Sequence, residues 1–228
     1  MSSPAVDYDA LEATTSIEEI TADWKAHRSA QDILRELKND ELTALWVCGP
    51  WAQEKISDYV LGGSAGELGW LGHFMKKSKR LERFGIYDCD IFHSYSEQSI
   101  DRFLDDLGKC NHIKKMNFER MDLAKIIHKL GDAMKKIKIT HLVLDSCYLG
   151  VSGATFLFME SLEELCIFCE DSDMLDDDTM ANWFLSLAAC KGMRKLILND
   201  LNLSTSCATL SALAQGLSEC KQMQSLDL

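Results

Sequence analysis

Proline is scarce in this chain: its 228 residues contain two, Pro4 and Pro50. Long regular elements are therefore permitted almost everywhere, because little else removes backbone donors and fixes φ. No apolar run reaches the roughly 18 residues that a membrane-spanning helix needs. The start, MSSPAVDYDALEATTS, has neither a basic region nor an apolar stretch and does not read as a secretory signal. Positive charge is also short. Lys and Arg total 24 against 36 Asp and Glu, a formal net charge of −12. Binding to phosphate backbones or anionic membranes needs a basic face, so nucleic acid and membrane are not expected partners. An acidic chain is soluble and steers toward basic partners. Hydrophobic content of 46% and charged content of 26% are those of a globular protein with a real core.

What the sequence does have is a spacing that returns. Leu81-Glu-Arg-Phe84-Gly-Ile86-Tyr-Asp-Cys89-Asp-Ile91 places apolar residues at positions 1, 4, 6, 9 and 11. The same pattern recurs in IKKMNFERMDL (113–123), ITHLVLDSCYL (139–149) and MRKLILNDLNL (193–203). Weaker copies begin at Leu42 and Leu162, and a last one, Met223-Gln-Ser-Leu226-Asp-Leu228, stops at position 6. Alternation around positions 4 and 6 predicts a short half-buried strand. Between the copies, Ile100/Phe103/Leu104/Leu107, Trp183/Phe184/Leu187 and Leu210/Leu213/Leu217 fall on single helical faces. Cys110, Cys190 and Cys220 each stand three residues before the next copy begins. That repetition, with the absence of a signal, predicts that most of the nine cysteines are buried free thiols in a reducing compartment, cytoplasm or nucleus.

This strand–turn–helix unit resembles the leucine-rich repeat, L-x-x-L-x-L-x-x-(N/C)-x-L, in its ribonuclease-inhibitor-like subtype. The resemblance implies an α/β fold: a right-handed solenoid or horseshoe with parallel strands on the concave face and helices on the convex face. One repeat cannot bury its own apolar residues, so stacked neighbours share a core. Repeat lengths are irregular, and GVSGATFLFMES between the copies at 139 and 162 leaves little room for a helix. Residues 1–15 read as a disordered acidic tail, 16–80 as a helical cap with a divergent first repeat, and 81–228 as the array. Within the cap, Ser16-x-x-Glu19 is a capping-box signal. The unfinished copy at Met223 suggests either further repeats or self-association through an uncapped strand.

Residues at positions 3, 5 and 7 face outward, and in the family this concave side is used for recognition. The resemblance therefore implies a protein-binding surface drawn from Trp46, Arg83, Tyr87, Lys115, Glu119, His141, Asp145, Phe168, Lys195 and Asn199. Position 3 is largely basic (Arg83, Lys115, His141, Lys195), against the sign of the whole chain. Aromatic anchors such as Trp46, Tyr87 and Phe168 are those that interfaces favour.

Motifs for chemistry are weak. Cys166-Ile-Phe-Cys169 is a lone C-x-x-C in a predicted strand, without the helix start or second pair that redox or zinc chemistry uses. The carboxylate run from Glu170 to Asp178 misses the calcium-loop spacing at its fifth, sixth and twelfth positions, and reads as a solvated loop before a helix. Gly62-Gly-Ser-Ala-Gly66-Glu-Leu-Gly69 lacks the Lys-Ser/Thr ending of a P-loop and reads as a flexible turn. The six histidines show no HExxH spacing. No catalytic, cofactor or metal residues are expected. The expected function is a non-catalytic protein-interaction scaffold. The alternatives are a GTPase-activating (Ran-type) or other regulatory leucine-rich-repeat protein, or a piece of a larger immune-type receptor, both by fold analogy alone.

Overall fold

A computed structural model describes residues 6–24, 27–49, 59–87, 95–150, 153, 159–169, 177–199 and 207–228. Helices α1 (Tyr8–Glu12), α2 (Ile17–Ile20) and α3 (His27–Lys38) precede strands β1 (Ala44–Cys48) and β2 (Tyr59–Val60). Helix α4 (Glu67–Lys77), strand β3 (Arg83–Tyr87), helix α5 (Glu97–Leu107) and strand β4 (Lys115–Glu119) follow. Then come α6 (Ile127–Ile137), β5 (His141–Asp145), β6 (Glu164–Phe168) and α7 (Asp177–Ser186). Strand β7 (Lys195–Asn199), helix α8 (Cys207–Ser218) and strand β8 (Ser225–Asp227) end the chain. Eight strands form one sheet in the order β2-β1-β3-β4-β5-β6-β7-β8, and every pair is parallel.

Seven of these strands begin at position 3 of a motif copy, and equal positions pair across the sheet. Ala44, Arg83, Lys115, His141, Glu164, Lys195 and Ser225 form one register row. Burial alternates as the spacing predicts: in β4, β5, β6 and β7 positions 4 and 6 are buried while 5 and 7 are partly exposed. The buried positions share one core with helix residues such as Phe74, Phe103, Leu107, Met134 and Phe184. The helices therefore cover one face of the sheet, and no described helix or strand covers the other. This fits a leucine-rich-repeat-like stack.

The cysteine placement has a physical basis. Cys110, Cys190 and Cys220 each accept the backbone N–H of the first residue of the next copy, at 3.1, 3.0 and 3.1 Å, and donate their own to Leu107, Leu187 and Leu217. All three thiols are buried. Burial pushes those of Cys110 and Cys190 up to about 12, and that of Cys220 upward as well. Each is a small apolar plug under a turn, poor in thiolate. Cys89, Leu201, residues 151, 152 and 154–158 of the short connection, and residues 170–176 of the acidic run lie outside the described residues.

The structure departs from the sequence reading at three places. Tyr8–Glu12 is helical, not a disordered tail, because Asp7 caps it and Tyr8 packs edge-on against Trp70 with ring centroids 4.7 Å apart. The guanidinium of Arg102 lies 4.1 Å above the same tyrosine ring. Strand β2 extends the sheet beyond β1, a pairing that no motif copy announces. On α8, Leu210 is 46% exposed, whereas Thr209, Ala212, Leu213 and Gly216 form the buried face. The capping box is as expected, with Ser16 Oγ accepting from Glu19 N–H and Ser16 N–H donating to Glu19 at 2.7 Å.

Helix α1 is fastened to α4 by a small charged cluster. His73 is fully buried, with its Nε2 2.8 Å from Glu12 Oε2. Lys77 Nζ lies 2.7 Å from Asp9 and 2.6 Å from Glu12. Burial holds His73 below its ordinary 6.5, against the opposing hydrogen bond to Glu12. Its Nδ1 has no partner among the described residues, so the neutral ring donating through Nε2 fits the site and a second ring proton would be stranded. Burial would raise the Glu12 carboxyl, but the hydrogen bonds from Lys77 and His73 outweigh it and leave Glu12 below 4.5. The Lys77 hydrogen bond lowers Asp9 below 3.8. In each case the unfolded state takes up protons first on acidification, so the stabilisation is present above the unfolded value and is lost as pH falls. Between pH 7 and pH 4, amide hydrogen exchange should show residues 8–12 losing protection before the sheet does. Equal loss in α1 and in β5 would contradict this.

A candidate binding cleft on the open face of the sheet

Positions 3 and 5 of neighbouring strands build a cleft of about 260 Å³ on the uncovered face. Its lining includes Trp46, Arg83, Lys115, Asn117, His141 and Val143, with Glu164 and Cys166 at the β6 end. The depression arises from one small residue. Trp46 pairs in register with Gly85, and its indole lies across the space that any side chain on Gly85 would fill. A Cβ there would overlap the ring, with Trp46 Cη2 still only 3.0 Å away. Gly85 therefore lets the indole lie flat and form the wall on the β1 side.

The electrostatics are uneven. Arg83 and Lys115 are register partners on adjacent strands, both exposed. Among the described residues neither forms an ion pair. His141 is satisfied: its Nδ1 is 2.7 Å from Thr140 Oγ1 and its Nε2 3.2 Å from Glu164 Oε1. Asn117 Oδ1 is buried and has no hydrogen-bond partner among the described residues. Burial holds the Cys166 thiol above its ordinary value, against the lowering effect of Lys195. The cleft thus presents cations, an amide oxygen and an indole, and no activated nucleophile. Cys166 is half-buried within β6, whereas Cys169 is buried just past the end of that strand.

Of the ten expected face residues, the cleft brings together Trp46, Arg83, Lys115 and His141. Glu119, Asp145, Phe168, Lys195 and Asn199 lie on the same face but outside it. Tyr87 is on this face as well, yet it is only 8% exposed, in a small cluster with Cys48 and Val60 against which Trp46 packs. It is a support rather than an exposed anchor. Asn117, Val143, Glu164 and Cys166 also line the cleft; they stand at the outward positions 3 and 5 but are not among the ten expected binding residues.

Two other features resemble sites and are occupied from within. The glycine run does present backbone donors: Gly62, Gly63 and Ser64 N–H point at the buried Glu67 carboxylate at 3.0 to 3.2 Å, and Tyr95 Oη donates to it at 2.6 Å. This is an anion nest filled by the chain's own carboxylate, so the expected flexible turn is instead clamped. Asp9, Glu12 and His73 hold ligand-type atoms within 4.8 Å of one another. The Lys77 ammonium already pairs with both carboxylates there, and a metal cation would have to displace it. Among the described residues, no helix is long and apolar enough to cross a membrane.

No protein-family model and no curated protein matches the sequence. Among solved structures the chain is similar to a tropomodulin C-terminal domain from Caenorhabditis elegans, with 11% identity and a TM-score of 0.39 over 84% of this chain and 95% of that one. At that distance the reading of the fold rests on the sheet itself: a single parallel array whose motif copies pair position for position.

Proposed function

We propose that this chain is a non-catalytic protein-interaction module whose partner docks on the open face of the sheet. The observation that carries the reading is the cleft walled by Trp46, where an apolar surface stands beside two cations and an amide oxygen that have no partner among the described residues. Interfaces concentrate binding in such aromatic- and arginine-lined depressions. The finer reading of the fold is a right-handed horseshoe of the ribonuclease-inhibitor-like subtype, with the cleft on its concave side and the helices on its convex side. Buried free thiols favour a reducing compartment such as the cytoplasm or nucleus.

The test is to fill the cleft without changing charge. Val143→Trp adds bulk at a half-exposed strand position where aromatics are well tolerated. Affinity capture from a cell lysate, read by quantitative mass spectrometry, should yield at least one protein that the wild type retains about tenfold better than the variant. Identical capture by a folded variant would remove the open face from consideration.

A further inference from the structure

We infer that the occupant of the cleft is an acidic peptide segment: a carboxylate placed against Arg83 and Lys115, with a neighbouring apolar side chain against the Trp46 indole. This rests on the open-face reading above and names the partner's chemistry. Overall charge argues the other way, since a chain of −12 steers basic partners toward itself. The cleft is a local inversion of that field.

Three observations point to this chemistry. Arg83 and Lys115 sit directly across from each other on adjacent strands, where like charges destabilise the sheet. With 36 acidic residues in the chain, neither cation forms an ion pair among the described residues. An incoming carboxylate relieves the repulsion and is met by two cations at once, one of them able to bind it in bidentate fashion. Second, Asn117 lies on the same strand as Lys115, two residues on, and its buried Oδ1 lacks a donor among the described residues. A bare carboxylate has no donor to offer, whereas a peptide brings backbone N–H groups alongside its acidic side chains. Third, the cleft holds about 260 Å³, slightly below the range of about 300–1,000 Å³ typical of small-molecule pockets. That room suits one or two residues of a longer chain lying over the sheet.

The remaining charges set the orientation. Glu164 closes the far end of the cleft and is joined to His141. Glu119 and Asp145 stand at position 7, at the opposite ends of strands β4 and β5 from Lys115 and His141. A second carboxylate placed deeper, or toward the strand ends, meets acids. The acidic group therefore enters at the β3–β4 side only.

The experiment is selection of a random dodecapeptide phage library on the full chain, followed by fluorescence anisotropy of the enriched peptides. The expected winners carry Asp or Glu beside Phe, Leu or Trp. Their affinity should fall at least about tenfold in Arg83→Glu and in Lys115→Glu, and fall as salt rises. Lys221→Glu, an exposed lysine outside the cleft, should leave it unchanged. Circular dichroism and melting establish that the variants are folded. Neutral or basic winners that ignore the charge reversals but are lost in Val143→Trp overturn the acidic occupant and leave the open-face reading standing. Winners indifferent to Val143→Trp, or no enrichment over a blank surface, overturn both.

Discussion

Gly216→Ala should lower the melting temperature by roughly 5–10 °C, although it places a better helix former inside a helix. Alanine gains about 1 kcal/mol over glycine from intrinsic propensity. Against that, a Cβ at Gly216 would overlap the carbonyl oxygen of Phe184, with the carbonyl carbon 2.9 Å and Leu187 Cβ 3.3 Å away. The obstacle is backbone of α7, which has no rotamer to turn aside. Relief requires the two helices to move apart, taking Ala212 and Leu213 out of their contacts. Overpacking usually costs about 1–3 kcal/mol and sometimes more; a clash with rigid backbone belongs at the upper end, about 3–4 kcal/mol, so after the gain of about 1 kcal/mol a net loss of about 2–3 kcal/mol is expected. In a chain of this length each kcal/mol shifts the midpoint by about 2–4 °C. Because stacked repeats unfold in parts, amides of α8 and β8 should lose protection first. Gly192→Ala is the control: its Cβ would meet only Glu160 O at 3.5 Å and Leu162 O at 3.6 Å, which is ordinary contact. A Gly216→Ala protein as stable as Gly192→Ala would show that the helices do not pack backbone to side chain as described.

Glu67→Gln should cost a comparable amount, and for an electrostatic reason. The carboxylate is 1% exposed and accepts from three backbone N–H groups and one phenol. An amide there offers one acceptor oxygen in place of two and points an NH₂ at donors. Lost hydrogen bonds to a charged group are worth about 1.5–3 kcal/mol each, but the loop is partly open and water replaces some of them. A net loss of about 2–4 kcal/mol follows. The consequence should be local: release of residues 61–64 frees the neighbouring edge strand β2 and the ring of Tyr95. Hydrogen exchange at Tyr59, Val60 and residues 62–64 together with thermal melting would check this. Wild-type protection in that segment would mean that the nest is not what orders it.

How much of this was legible in the sequence depends on how local the cause is. The motif sets strand starts because positions 1, 4 and 6 must reach one shared core, and that demand lies within a few residues. Hence the register row from Ala44 to Ser225 coincides with the copies as written, the weak ones at Leu42 and Leu162 included. Helix α1 was not legible, since five residues cannot hold a helix alone; Trp70 and Arg102 stabilise it from far along the chain. Strand β2 is two residues long and follows no copy. The exposure of Leu210 depends on how closely α8 approaches α7, which a small-residue face at Ala212 and Gly216 decides and hydrophobic spacing does not. At the cleft, the basic row was readable, whereas the depth was not, because it depends on which neighbour faces Trp46. That neighbour is Gly85, and only the register reveals it.

The register row also acts as a ruler. Adjacent strands lie about 4.8 Å apart, while same-side residues of an extended peptide recur about every 6.8 Å. A peptide laid across the strands therefore cannot match them one to one; the two periods first agree to within about 1 Å three strands apart. Lys115 and Lys195 stand three strands apart in this row. Side chains four residues apart on an extended partner span that interval. The face thus favours, in any partner that crosses the strands, contacts about four residues apart over contacts at every second residue.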